Sequence, residues 1–302
     1  MSAYTTNDLI KSVRVRGMFP DASKGTLSAE NILLVASEEL RLTLVPMIMA
    51  AREKYYETFV DYPMISGQEI YKIPDRAVGG IASVVQYVIN ESVTNVAPLD
   101  PNQRSTTGTG SYPKGFYFEN DHIVIYPKPN ATQGTIRVRY FQRTSLLEQT
   151  LNCAQITVVD EANSSVTLRT IPASWSSAMP LDFISDKSPY AIYGLDKPIN
   201  VISAGNNVSF VLLPYDRDNN LMVKAGDWLS LAGYSPIPEI PSEFFPLLAQ
   251  ATAARLLIAI GDDLNGKKAT DELTKMQSVA IRLITPREQF GLKKVKSDWR
   301  NW

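Results

Sequence analysis

The chain has 302 residues, with 30 Lys+Arg against 31 Asp+Glu, a hydrophobic fraction of 44%, 16 Gly and 19 Pro. These ordinary proportions exclude collagen, a disulfide knot and wholesale disorder, and the near-neutral charge argues against a dedicated duplex-DNA binder. One cysteine, Cys153, and one histidine, His122, exclude an internal disulfide, any Cys-only metal site and most His-based catalysis.

Met1 to Gly17 is polar and mixed, without the apolar run of a signal peptide. The longest greasy stretches, such as Leu256 to Ile260, fall far short of the roughly 20 residues of a membrane-spanning helix. The expectation is therefore a protein made in the cytoplasm, in which the Asn-x-Ser/Thr triplets at Asn90, Asn130, Asn163 and Asn207 are chance matches.

Thr5 to Arg16 reads as a short helix capped by Thr6 or Asn7, with Leu9, Ile10 and Val13 as its apolar stripe and Gly17 and Pro20 ending it. Ser28 caps a longer pattern through Ile32, Leu33, Val35, Ala36, Leu40 and Leu44. Pro46 interrupts that pattern but does not end it, so one kinked helix is expected from about 28 to 57.

The period then changes from helical to alternating. Gln68–Ile73, Ile81–Ile89, Gly115–Phe118, His122–Tyr126 and Thr135–Phe141 are β-branched and aromatic runs separated by Gly, Pro and Asn. The last two flank Pro127-Lys-Pro129-Asn130 and Gly134 and look like a hairpin with a long turn. Arg137 and Arg139 alternate with Ile136, Val138 and Tyr140, which predicts one wet and one dry face. Asn102 to Ser111 reads as a loop.

A second β block runs from about 152 to 234, with strands expected at Ile156–Val159, Ser165–Ile171, Ile199–Ile202, Val208–Leu213 and Trp228–Ala232 and turns at 160–163, 205–207 and 216–220. Short strands at this spacing suggest a small barrel or sandwich. Pro236, Pro238 and Pro241 make an extended connection into a helix from Ser242 to about Ile260, which carries Leu247, Leu248, Ala251, Ala254, Leu257 and Ile258 on one face and Gly261 as its cap. A last helix spans roughly 266–284.

The candidate chemistry is thin. Gly261 to Lys268 nearly matches a phosphate-binding loop, but a helix precedes it, Lys268 stands where the hydroxyl should be, and Asp262 and Asp263 would repel phosphate; a tight helix–helix connection is the better reading. Cys153 lacks an evident base and His122 lacks a second histidine. Tyr112, Phe116, Tyr117 and Phe118 near Lys114 superficially suit single-stranded nucleic acid, although alternating aromatics on a strand are more often core. No catalytic residue, cofactor or metal ligand is nominated. Arg287 to Trp302 holds five basic and two acidic groups plus three aromatics without a helical period. Such a tail either stays unordered or orders by inserting its aromatics into a partner.

Three places together resemble the head-to-tail adaptor family of tailed bacteriophages. They are the early helix carrying Glu38-Glu39-Leu40 and ending at Arg52-Glu-Lys-Tyr55; the segment Asn120 to Pro129 followed by Gly134 to Tyr140; and Gly226-Asp-Trp-Leu-Ser-Leu231 leading through Ile240-Pro-Ser-Glu243 into Leu247 to Leu256 and Gly261-Asp262. The β block at 152–234 departs from the smallest adaptors.

The resemblance implies an α+β fold: N- and C-terminal helices (1–60 and 236–285) form a helical bundle, with two inserted β-rich regions, a hairpin sheet at 61–150 and a small barrel or sandwich at 151–235. It implies a non-enzymatic virion protein at the head–tail junction, a homo-oligomeric ring of twelve that joins the portal protein to tail nozzle or fibre proteins and lets DNA pass without sequence-specific binding. The tail at 286–302 would then dock to the portal through Arg287, Phe290, Lys293, Lys294, Lys296, Trp299, Arg300 and Trp302. Rival expectations are a carbohydrate-binding or fibre-attachment module in the second β block, and a hydrolase with two perturbed carboxylates in one cleft.

Overall fold

The computed structural model describes residues 4–20, 27–100, 108–186, 192–216 and 221–285. The fold is α+β, with N- and C-terminal helices packed together and β sheets inserted between them.

Helix α1 (Thr6–Gly17) is capped by Thr5, one residue before the expected cap. Thr5 Oγ1 accepts from the Asp8 N–H at 3.3 Å while Asp8 Oδ2 accepts from the Thr5 N–H at 3.0 Å, so two orphan donors are satisfied reciprocally. Its stripe Leu9, Ile10 and Val13 is buried, as the spacing predicted. Met18 at φ 52°, not Gly17, takes the left-handed position that ends the helix. Gly17 serves closeness instead, because a Cβ there would collide with the Phe19 ring.

Ser28 caps α2 (Ala29–Glu39) as expected. A π turn over Leu40–Leu44 follows, then α3 (Val45–Ala51). Pro46 has no N–H to give and its ring crowds the carbonyl one turn back. The wide turn accommodates this, with the Val45 N–H bonded to Leu40 O. The helix stops at Ala51, short of the expected 57, and residues 57–63 enter a sheet.

Helix α4 (Phe245–Ala259) sits at the centre of the helical core, packed against α1, α2 and α5 (Asp263–Ile284). It is buried nearly all round, including Gln250 and Thr252, although Ile258, expected to face inward, is exposed. Helix α5 begins three residues earlier than predicted because Asp262 caps it by accepting from the Asn265 N–H. Gly261 at φ 85° makes the expected helix end. Gly266, the last glycine of the apparent phosphate loop, is helical and lets α5 press on Ile258, whose Cγ1 would lie 2.8 Å from an added Cβ.

The first β unit has two sheets around one core of Tyr71, Val85, Ile123, Ile125, Ile136, Val138 and Tyr140. One runs in the order Glu57–Pro63, Thr135–Gln142, Ala77–Ile89, Ser92–Asn95; the other Ile70–Lys72, His122–Tyr126, Gly115–Glu119, Ala97–Pro98. The expected long-turn hairpin is therefore absent, since His122–Tyr126 and Thr135–Gln142 lie in different sheets. His122–Tyr126 pairs instead with Gly115–Glu119 across the two-residue turn Asn120-Asp121, where Asn120 takes φ 53°. A short turn with Asn in the left-handed region matches the strand twist and wins over the long one. The wet and dry faces of the 135–142 strand are as predicted, with Arg137 and Asp61 sharing two 2.8 Å bonds on the outer side.

The second β unit is one antiparallel sheet of seven strands curled into a half-barrel. Its order is Ile192–Pro198, Pro180–Ile184, Trp228–Leu231, Ala154–Asp160, Ser165–Leu168, Asn207–Ser209, Val201–Ser203. A register shift at Ile156/Val158 lets one strand turn between its two neighbours. The first two strands of that order were not anticipated. Phe183, Leu181, Val166, Val208 and Leu229 fill the concave side.

Candidate functional site

The chain passes from the first β unit to the second through residues 143–153, alongside the helices, and returns from the second to the helical core through residues 232–244. Both crossings run the same way and pair in parallel, Leu146 with Tyr234 and Leu147 with Ser235. The clasp is tied to the helices: the Leu147 N–H donates to Ser37 Oγ, the Thr6 hydroxyl to Glu148 O, and the Thr6 N–H to Pro236 O.

Around the clasp lie two buried carboxylates, Asp182 and Glu239. Arg76, from the first β unit, donates to Asp182 of the second at 2.7 Å. Asp182 is fully buried and also accepts from the Asp196 and Gly233 N–H groups, each at 3.0 Å. Burial raises its carboxyl pKa although Arg76 and those N–H groups pull the other way. Glu239 accepts from the Ser145 N–H at 2.9 Å, with the Ser145 hydroxyl close by in poorer geometry. Burial pushes its carboxyl up to about 7, with Asp182 adding to the rise. Two perturbed carboxylates thus neighbour each other, the signature set for a hydrolase. Their oxygens, however, are engaged by backbone N–H groups and an arginine, which makes them ties between segments.

A second feature is surface rather than interior. Leu34 and Leu42 project from α2 and its π turn, 57% and 74% exposed. Exposed apolar side chains also lie at the α4–α5 turn, Ile258, Ile260 and Leu264, and at the far end of α5, Val279 and Leu283, about 22 Å along the helix axis from Leu264. Single apolar residues on a surface are normal, but small groups of them at separate places on one helical core mark contact sites.

The eight tail residues nominated for portal docking, Arg287, Phe290, Lys293, Lys294, Lys296, Trp299, Arg300 and Trp302, lie outside the described residues, as does most of the Asn102–Ser111 loop. His122 is half-exposed and pairs with Asp121 through Nδ1 at 2.7 Å. The Cys153 thiol is buried and donates to Ser230 Oγ at 3.4 Å; burial pushes its pKa up to about 12, where it is inert as a nucleophile. Phe116 and Tyr117 are core, leaving Tyr112 and Phe118 exposed.

In the second β unit a pocket of about 190 Å³ is lined by Val159, Leu212, Leu213, Pro214, Met222 and Val223 with Glu161 and Ser164. Among the described residues its lining includes no aromatic ring on which a sugar could stack. Among the described residues no three His, Cys, Asp or Glu gather as a metal site, and no helix is long and apolar enough to cross a membrane. Compared with protein-family models and with curated proteins, the chain matches none.

Sequence reasoning missed Arg41, Arg76 and Arg143, which meet beside the clasp. Each is an isolated arginine at the end or bend of an element, and nothing local links them.

Proposed function

We propose that this chain is a structural subunit of a ring, acting as a head-to-tail adaptor of the tailed-bacteriophage type: it would sit beneath a portal, join it to tail components and leave a channel for DNA. The observation that carries the reading is the set of separate exposed apolar sites on the helical core, Leu34/Leu42, Ile258/Ile260/Leu264 and Val279/Leu283. Unlike exposed apolar sites at separate places on one subunit suit a heterologous contact, in which one face of each copy meets a different face of the next and the ring closes when the rotation divides a full turn. The clasped carboxylates and the inert thiol agree with a part whose work is contact rather than chemistry. Overall neutrality suits a lumen that DNA must slide through without being gripped.

The test is electron microscopy of the full chain mixed with purified portal rings, alongside native mass spectrometry of the chain alone. Rings of twelve on the portal are expected, and Leu42→Glu or Leu283→Glu should abolish them while leaving the subunit folded. A wild-type chain that remains monomeric at high concentration and never joins the portal overturns the proposal. The portal-docking role of the tail is checked separately by deleting residues 286–302, which should prevent attachment without altering the melting of the folded part.

A further inference from the structure

Beside the clasp is a surface pocket of about 250 Å³ in which Arg41, Arg76, Arg143 and Thr144 meet Gly233 and Tyr234. Arg41 comes from the helical core, Arg76 and Arg143 from the first β unit, and Gly233 from the far end of the second, so all three cores contribute to the wall. Two of the guanidinium groups are held firmly. Arg41 gives Nε and Nη2 to Thr144 O at 3.1 and 2.7 Å, and Arg76 is fixed by Asp182. Among the described residues the Arg143 guanidinium is held by a 3.5 Å bond from Nη2 to Ala77 O.

The negative charges nearby are spoken for. Asp182 accepts from Arg76 and two N–H groups; Asp196 meets Arg76 at 3.4 Å; Asp75, on the rim, is tied to Lys72 at 2.6 Å. Glu239 stands behind Ser145, with its charge penalised by burial. Among the described residues neither Arg41 nor Arg143 has a carboxylate within ion-pair distance; Arg41 is lowered first by burial and then by the charge of Arg143, with Glu239 pulling weakly the other way. Two donors at the wall, Arg76 Nη1 and Thr144 Oγ1, are buried without any partner. Buried donors left unsatisfied and like charges brought together are both costly, and one species relieves both.

We propose that this pocket binds a small free tetrahedral oxyanion of the phosphate or sulfate class, which bridges Arg41 and Arg143 and pins the three cores together. Arginine forks suit oxyanions because each guanidinium offers parallel N–H donors on a plane. A carboxylate has two oxygens in one plane, whereas donors arriving from a helix, a strand end and a loop call for oxygens in several directions. The Thr144 hydroxyl, unpartnered at the wall, is a further donor available to such an anion.

The test is thermal unfolding of the full chain titrated with inorganic phosphate, with sulfate, and with chloride at matched ionic strength. Wild type should be stabilised saturably by phosphate and sulfate but not by chloride, as a ligand that binds only the native state requires. Arg143→Gln should weaken that midpoint by about tenfold or more, the loss expected for one charge-assisted contact. Without phosphate the variant should melt no lower than wild type, since it loses only a repulsion and one long bond. Thr144→Val, which removes an unpartnered hydroxyl at equal volume, gives a second reading should Arg143→Gln fail to fold. Equal, non-saturating shifts with all salts overturn the proposal, as does an Arg143→Gln midpoint equal to wild type. A short DNA duplex that binds through Arg143 in place of the free ion also overturns it.

Discussion

Glu239 makes a sharp forecast of how stability responds to pH. It is buried beside the clasp, and burial moves its pKa from an ordinary 4.5 to about 7. A group whose folded pKa is raised holds its proton in the native state after the unfolded chain has released it. Stability from this group is therefore greatest below about pH 4.5 and declines as pH rises to about 7, beyond which the whole cost of the buried charge is present. At roughly 1.4 kcal/mol per pH unit, the shift amounts to about 3 kcal/mol. Glu239→Gln removes the titration but keeps an oxygen to accept from the Ser145 N–H; the Tyr56 hydroxyl donates to the Glu239 backbone carbonyl and is untouched. The new amide N–H₂ alters the absolute stability, so the slope is what is read. Urea unfolding at steps from pH 5 to pH 8 should show wild type losing most of that 3 kcal/mol relative to the variant. Asp182, raised in the same direction, is present in both chains and largely cancels in the difference. Parallel profiles would refute the reasoning, because they would mean that Glu239 titrates alike in the folded and unfolded chains.

Phe244 is completely buried at the foot of α4, and Phe244→Ala should cost about 3–5 kcal/mol in chemical denaturation; a loss below about 1 kcal/mol would show that the site collapses or is not core. Gly266→Val should destabilise although glycine is ordinarily worse than other residues in a helix by ~1 kcal/mol, because the new Cβ would meet Ile258 Cγ1 at 2.8 Å and Ile258 N at 3.4 Å; a higher midpoint for the variant would contradict the close α4–α5 crossing. Cys153 should resist a maleimide at pH 8 in the native chain and react promptly in denaturant; rapid native labelling, read by mass spectrometry, would show that the half-barrel opens at that edge.

The helices were legible in the sequence because their signals are local. Leu9, Ile10 and Val13 share a face, Ser28 caps α2 and Gly261 ends α4; the exact caps of α1 and α5, Thr5 and Asp262, were missed because neighbouring polar residues compete for the same role. Strand pairing is not local. The alternation in Thr135-Ile-Arg-Val-Arg-Tyr140 fixed which side chains face inward, yet gave no indication that the partners would be 57–63 and 77–89 rather than 122–126. Glu57–Pro63 went unseen because it follows a helix with only a short turn between them, and Pro180–Ile184 because it carries Asp182, a residue that reads as solvent-facing until Arg76 and two backbone N–H groups are brought to it. The arginine pocket was illegible for the same reason: Arg41, Arg76 and Arg143 belong to three separate stretches, and only the folded crossings place them together.

The division of the described residues into three large hydrophobic cores, with a small fourth cluster at Ile184 and Ile237, bears on how such a subunit could work. A chain of this length could bury more surface in one core than in three, since burial rises with the size of the packed unit. Splitting the apolar residues leaves each unit with faces of its own, and the clasp then has to hold the units in register. It does so with paired crossings: the link from the first β unit to the second bonds to the link from the second back to the helices, and the pair is tied to Ser37 and Thr6. A push on the crossings is carried into α1 and α2 through hydrogen bonds to Thr6 and Ser37 rather than taken up by a slack linker. Arg76 to Asp182 adds a direct tie between the units outside the clasp. With neighbours held by the helical flanks, the β units would then be free to meet other partners while keeping a fixed orientation. For a connector that transmits position between two larger assemblies, rigidity at the crossings matters more than a single large core.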